Sequence, residues 1–292
     1  RKRLEISLLD PASYVGGQPH DQFRWLRENA PVHRHDEPDG GPGYWAITRY
    51  DDLRAISRNH AVFSNEPSIM IADTGVEAPD DNKMMLMCDP PYQTKLRRLV
   101  SGSFTPRAAR DLTPRINRLA KQIIDEVIER GECDFVADIA GELPSYVIAE
   151  LLGIPLDDGR KLYQLTETIH STPDSVPEGA QVAAATEMFL YAASVAAQKR
   201  ESPGDDLVSQ LLSAEVDGHR LSDMEFNLFF MLLVDAGGDT TRNLVAGGML
   251  ALLERPDELA RLRGDLDGLL PSAREELLRF TSPVVYMRRT AK

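Results

Sequence analysis

Leu233-Val234-Asp235-Ala236-Gly237-Gly238-Asp239-Thr240-Thr241-Arg242-Asn243 places glycines, carboxylates and hydroxyls inside a stretch that otherwise reads as an apolar helix. A glycine in a helix interior costs about 0.5–1 kcal/mol relative to alanine. A carboxylate on a core-facing stripe costs more unless it is paired or hydrogen-bonded. Local rules broken together in the middle of a strong helix mark a site. Two structural explanations stand beside that one. Gly237-Gly238 can mark a kink or a close helix crossing, and Asp239 can pair with Arg242 at i+3.

Working outward, Ser222-Asp223-Met224-Glu225 reads as a capping box that starts the helix. The apolar pattern runs from Phe226 to Leu253, and Arg255-Pro256 closes it. Roughly 30 residues at about 1.5 Å each make a rod of about 45 Å, enough to cross a whole domain. Leu232, Ala236 and Thr240 fall at i, i+4 and i+8 on one stripe. Side chains shrink along it from isobutyl to methyl to hydroxyl. A large flat ligand can therefore lie against the backbone, with Asp239 and Thr240 at its centre.

Two more motifs flank this helix. Downstream, Glu275-Glu276-Leu277-Leu278-Arg279-Phe280 sets Glu276 and Arg279 at i, i+3, where they can pair. The helix carrying them is expected to begin at Pro271 and to end before Ser282-Pro283. Residues 284–291 then read as a strand, with Val285, Met287 and Arg289 on one face. Upstream, Asp89-Pro90-Pro91-Tyr92-Gln93-Thr94-Lys95-Leu96-Arg97-Arg98-Leu99 opens a helix at its proline pair. Gln93 and Arg97 share a face there, and Arg97 and Arg289 would supply two fork-shaped donors for the carboxylates of a flat ligand.

In composition and order, these three motifs resemble the cytochrome P-450 superfamily of haem-thiolate monooxygenases, of the soluble bacterial kind. The resemblance covers essentially the whole chain. It implies a mainly α fold with small β-sheets, forming a single domain over residues 1–292, and heme b as cofactor. Asp239 and Thr240 match the acid–alcohol pair that relays protons for dioxygen activation, and Ala236 and Gly237 match the positions that leave room for oxygen beside the haem. Arg97 and Arg289 match arginines that hold the haem propionates; Gln93 stands where many members carry a histidine. Glu276 and Arg279 match a buried pair that braces the haem-binding core. The implied reaction puts one atom of dioxygen into an apolar sterol, lipid or polyketide-like substrate. Electrons would come from a ferredoxin and its reductase, docking on cations such as Lys95, Arg98 and Arg110.

One departure is large. The family's iron ligand is a cysteine thiolate in a glycine-rich loop well downstream of Arg279. The resemblance implies that this ligand lies beyond Lys292, in an incomplete chain. Cys88 and Cys133 sit outside any such loop and read as reduced structural thiols. A non-catalytic or degenerate member of the fold remains an alternative, as does a helical protein that binds an apolar ligand without haem.

Composition narrows the remaining choices. The net charge of −13 argues against a nucleic-acid partner, and two cysteines exclude a disulfide framework. No apolar run approaches the 18 or so residues of a membrane span. Arg1-Lys2-Arg3-Leu4 is not followed by the apolar stretch of a secretory leader, so a cytoplasmic location is expected. A helix is expected over 20–29 and a hairpin over 31–35 and 44–49. Residues 64–87 lack a period, and Met84, Met85 and Met87 are candidates for a substrate wall together with Leu232, Val284, Val285 and Met287. Further helices are expected over 107–130, 143–152, 158–169 and 179–201. The serine- and proline-rich residues 170–177 read as a mobile lid, with His170 a solvated side chain at its edge.

Overall fold

The computed structural model describes residues 5–37, 41–71 and 82–292. It divides into two units, residues 1–77 with 287–292 and residues 78–286.

In the smaller unit, helix α1 (His20–Asn29) leads into strand β1 (Val32–His35), which pairs antiparallel with β2 (Tyr44–Ile47). This is the expected hairpin, with Val32 opposite Ile47 and His35 opposite Tyr44. The His35 ring also stacks on Tyr44 at 5.0 Å. Helix α2 (Tyr50–Arg58) follows, and β3 (Phe63–Ser64) pairs antiparallel with β4 (Thr290–Ala291). The strand expected over 284–291 is thereby reduced to its last two residues. Within residues 284–289, the Arg288 N–H reaches the Ile69 carbonyl at 2.9 Å. Alternation becomes a sheet face only where a neighbouring strand completes the ladder, and none of the described residues does so here.

The larger unit is helical. Helix α3 (Tyr92–Ser101) starts directly after the proline pair. Helix α4 (Pro106–Ile128) is capped by Thr105, whose side chain accepts from the Ala108 N–H. A π-helical turn (Phe135–Ala140) leads to α5 (Glu142–Leu152), which ends at Gly153 in the left-handed conformation, φ 66°. Helices α6 (Leu156–His170), α7 (Ala180–Glu201) and α8 (Leu207–Ser213) precede the 31-residue α9 (Asp223–Leu253). Its capping box forms as read: the Ser222 hydroxyl accepts from the Glu225 N–H at 3.2 Å, and the Glu225 carboxylate accepts from the Ser222 N–H at 2.7 Å. Helices α10 (Pro256–Gly264) and α11 (Leu266–Thr281) complete the unit. The last helix begins five residues before the expected Pro271, because Asp265 caps it through the Gly268 N–H at 3.0 Å. Pro271 lies inside it.

Packing explains why α9 tolerates its polar centre. Its first half carries the core, with Phe226 and Phe230 fully buried among Leu152 of α5, Leu162 of α6 and Val208 of α8. Each such burial is worth about 1.5–3 kcal/mol, which offsets the helix-breaking cost of the glycines that follow. No single described helix is long and apolar enough to cross a membrane.

Candidate functional site

One face of α9 closes an apolar cavity of about 680 Å³, within the size range of small-molecule sites. Phe229, Leu232, Leu233, Ala236, Gly237 and Thr241 supply the α9 wall, and α5 faces it with Leu143, Pro144, Val147, Ile148 and Leu151. Met85 and Leu86 close one side, and Arg97, Val100 and Ser101 of α3 another.

Several expected residues meet here: Leu232, Ala236, Gly237, Arg97 and Met85. Gly237 serves the cavity and the helix crossing at once. A Cβ added to it would stand 2.8 Å from Cδ1 of Ile148 on α5, while one on Gly238 would meet Tyr163 of α6 at 3.2 Å. The close-crossing explanation of the glycine pair therefore holds. Thr240 is not part of the cavity wall. Its hydroxyl donates to the Ala236 carbonyl at 2.9 Å, the back-bond a mid-helix threonine makes, and Thr241 lines the cavity in its place.

Other expected residues lie elsewhere. Gln93 sits one turn before Arg97 and outside the wall; Met84 packs on the main core and Met87 does not line the cavity. Val284, Val285 and Met287 are exposed and are not among the residues lining this cavity; without a strand ladder among the described residues their alternation selects no face. Arg289 belongs to the smaller unit, where its guanidinium donates to the Arg288 carbonyl at 2.8 Å. Glu276 and Arg279 pair through two hydrogen bonds of 2.6 and 2.7 Å, and Arg279 holds the Glu276 carboxyl below the usual carboxylate range. The pair is not buried, as the resemblance implied: the two side chains are 59 and 69 % exposed, because none of the described residues covers that face of α11.

Asp239 points to the other side of α9. Its carboxylate is 3.1 Å from Nη2 of Arg242, so the i+3 pair weighed from sequence forms. The contact is an ion pair and not an aligned hydrogen bond, since Oδ1 of Asp239 is buried without one. Arg242 also donates to the Tyr163 hydroxyl and, at 2.5 Å, to Glu167. Burial raises the Asp239 carboxyl above its ordinary range; Arg242 opposes this and Glu167 adds to it. Burial also pushes the Tyr163 phenol up to about 12.

Sequence reasoning missed part of this arrangement. His170 is 40 % exposed, as expected, but its Nε2 also hydrogen-bonds the Asp235 carboxylate, and that bond raises the imidazole pKa against the opposing effect of burial. Nor did it find Tyr163, Glu167 or the α5 wall. The only signal available was spacing, with Tyr163, Glu167 and His170 at i, i+4 and i+7 on one face of α6. Cys88 is buried and Cys133 exposed, neither in a disulfide, and the described residues hold no cluster of acidic, histidine or cysteine side chains set to bind a metal.

These residues fit a flat apolar ligand that carries carboxylates. The α9 wall is small-residue backbone at Ala236-Gly237, and the Arg97 guanidinium on the rim makes no ion pair or hydrogen bond with the described residues.

No protein-family profile matches the chain. It is 38 % identical over 300 residues to a methyl-branched lipid omega-hydroxylase of Mycobacterium tuberculosis, covering 98 % of this chain and 70 % of that one. It is 35 % identical over 296 residues to a steroid C26-monooxygenase of Rhodococcus jostii, covering 98 % of this chain and 62 % of that one. Among solved structures, a Mycobacterium marinum cytochrome P450, CYP268A2, in complex with pseudoionone superposes with a TM-score of 0.85 at 35 % identity. That match covers 100 % of this chain and 75 % of the other.

Proposed function

The chain belongs to the cytochrome P-450 family of monooxygenases, and on that premise we propose that it contributes the distal wall, the proton relay and a propionate clamp of a heme b site that oxygenates a lipid or steroid. The observation that carries this reading is the cavity under Ala236 and Gly237 with the uncompensated Arg97 on its rim. The lipid and steroid substrates named for the two relatives support the substrate class. The apolar surfaces of Phe229, Leu232, Leu233 and Val147 agree with it.

Haem held there would supply the iron chemistry that reduces dioxygen, with one oxygen atom going to the substrate and the other to water. The chain's own residues do the rest. Arg97 presents a planar fork that matches a propionate carboxylate. Ala236 and Gly237 leave space for the oxygen molecule and the substrate. The apolar wall excludes bulk water, so that protons arrive only through placed groups. We assign that role to Thr240 and Asp239, whose side chains adjoin the cavity wall without lining it in this structure. Release of the Thr240 hydroxyl from the Ala236 carbonyl frees its proton for donation, and the elevated affinity of Asp239 for protons suits it to resupply the hydroxyl. Dioxygen, a ferredoxin and its reductase complete the proposed partners, in the cytoplasm and within one domain spanning residues 1–292.

The deciding experiment is the absorption spectrum of the reduced carbon monoxide complex. A thiolate-type spectrum supports the reading. Failure of the purified protein to retain haem at all would overturn it.

A further inference from the structure

Glu225 is a carboxylate that the proposed chemistry does not use, and its side chain is only 4 % exposed. A buried charge is costly unless donors replace the lost water. Three do so here. The Ser222 N–H donates to Oε2 at 2.7 Å, while Oε1 accepts from the Tyr92 hydroxyl and, at 3.1 Å, from Nε2 of His219. Burial by itself would raise the Glu225 carboxyl; the bonds from Tyr92 and Ser222 outweigh it and hold the group below its ordinary range. The capping box needs only the bond from Ser222. The other two reach outside α9, to α3 and to the turn that precedes α9.

That turn is a two-residue hairpin. Val216 and His219 exchange backbone hydrogen bonds of 2.9 and 3.0 Å, and Asp217 and Gly218 between them both have positive φ, 53° and 76°. Its tip touches α3 as well, where Asp217 pairs with Arg98 at 2.7 Å. The hairpin and the start of α9 therefore hold α3 at two levels, Tyr92 at its first residue and Arg98 nearly two turns later. Arg97 stands between them. The Arg98–Asp217 pair is exposed and worth little by itself, so the buried bonds to Glu225 carry the attachment.

Apolar packing settles less about α3. Leu96, Leu99 and Val100 are buried in the main core, and Tyr92 packs on it. Their burial decides which face of α3 turns inward, but it is non-directional and discriminates weakly against a small shift along the helix axis. A hydrogen bond to a charged group is stronger and directional. Held at Tyr92, α3 has one position along its axis, and Arg97 is presented at the cavity rim beside Val100 and Ser101.

We infer that the Tyr92–Glu225–His219 cluster is the positioning element for Arg97. Glu225 touches no ligand; through Tyr92 it sets where the Arg97 guanidinium meets a carboxylate. This inference rests on the assignment of Arg97 to the propionate clamp.

Tyr92→Phe removes the hydroxyl and keeps the packing of the ring. The test follows transfer of haem from the loaded protein to a scavenging apoprotein in four forms: the parent, Tyr92→Phe, Arg97→Gln and the double variant. Tyr92→Phe should release haem roughly fivefold faster, the scale of one net hydrogen bond. In the Arg97→Gln background the same change should add nothing, because no guanidinium is left to place. Glu225→Gln, which keeps a capping side chain at the start of α9, repeats the comparison from the other side of the bond and should give the same pattern. An equal acceleration in both backgrounds makes the hydroxyl a contributor to general stability and overturns the inference. Unchanged haem release in Tyr92→Phe and Glu225→Gln, with faster release in Arg97→Gln, removes the positioning cluster alone. Release from Arg97→Gln at the parent's rate removes the clamp, and this inference with it.

Discussion

Gly237 and Ile148 are in such close register that a Cβ on the glycine would stand 2.8 Å from Cδ1 and 2.9 Å from Cγ1 of the isoleucine. The glycine is therefore required by the packing of α9 on α5 as much as by the cavity it borders. Gly237→Ala is expected to destabilise the protein by about 1–3 kcal/mol through overpacking. Trimming the partner in Gly237→Ala/Ile148→Val should restore part of the loss. Thermal unfolding of the single and double variants checks this, and additive losses would refute the contact.

Thr240→Ala removes the hydroxyl that now donates to the Ala236 carbonyl. Fold and haem content should stay the same, because the back-bond of a mid-helix threonine adds little to stability. Product yield per reductant consumed should fall, with the missing electrons appearing as peroxide. A rate loss on the order of 10²–10⁴ is the usual cost of removing a placed proton donor. Peroxide assays alongside product analysis measure both quantities.

Arg97→Gln tests the propionate clamp. The guanidinium has no partner among the described residues to release, so its loss should leave the thermal stability of the haem-free protein unchanged. A hydrogen bond to a charged group is worth about 1.5–3 kcal/mol, which predicts haem binding weaker by roughly 10–100-fold. The rate of haem transfer to a scavenging apoprotein gives the answer. Equal retention by both proteins would remove Arg97 from the clamp.

The His170–Asp235 bond gives stability a pH dependence of known sign. The imidazole pKa is raised in the folded protein above its ordinary value of 6.5, mainly by the hydrogen bond to Asp235. Its contribution is therefore complete below about pH 6.5 and is lost as pH rises through the elevated folded value. Both side chains are partly exposed, so the effect should not exceed about 1 kcal/mol. Melting curves across this interval should show a step that His170→Gln abolishes; an identical step in the variant would assign it to another group.

Much of this protein is legible in local chemistry. The capping box at Ser222 and Glu225, the glycine stops at Gly131 and Gly153, and the hairpin at 32–47 are decided by neighbours in sequence, and they form as read. The order of the Asp89-Pro90-Pro91, Ala236-Gly237-Gly238-Asp239-Thr240-Thr241 and Glu276–Arg279 motifs was sufficient to indicate the family. Errors arose where a local pattern needed a distant partner. Alternation over 284–291 described a strand, but most of that segment finds no ladder. The bond of His170 to Asp235 went unread, because Asp235 is 65 residues away in the chain.

Sequence alone indicated most of the longer helices, several of their stops, and that a small-residue step with an acid and an alcohol lies in the middle of the longest one; it did not announce the short helices over 50–58, 207–213 and 256–264. Each of those indications follows from hydrogen bonds and side-chain volumes within a few residues. Tertiary structure alone decided what that step faces. It set the α5 wall against Gly237, placed Thr241 and not Thr240 on the cavity, and turned Asp239 towards Arg242 on the far side. Those choices depend on how helices distant in sequence cross. The crossing is fixed by the burial of Phe226, Phe230 and their partners as a set, so no single residue along the chain announces it.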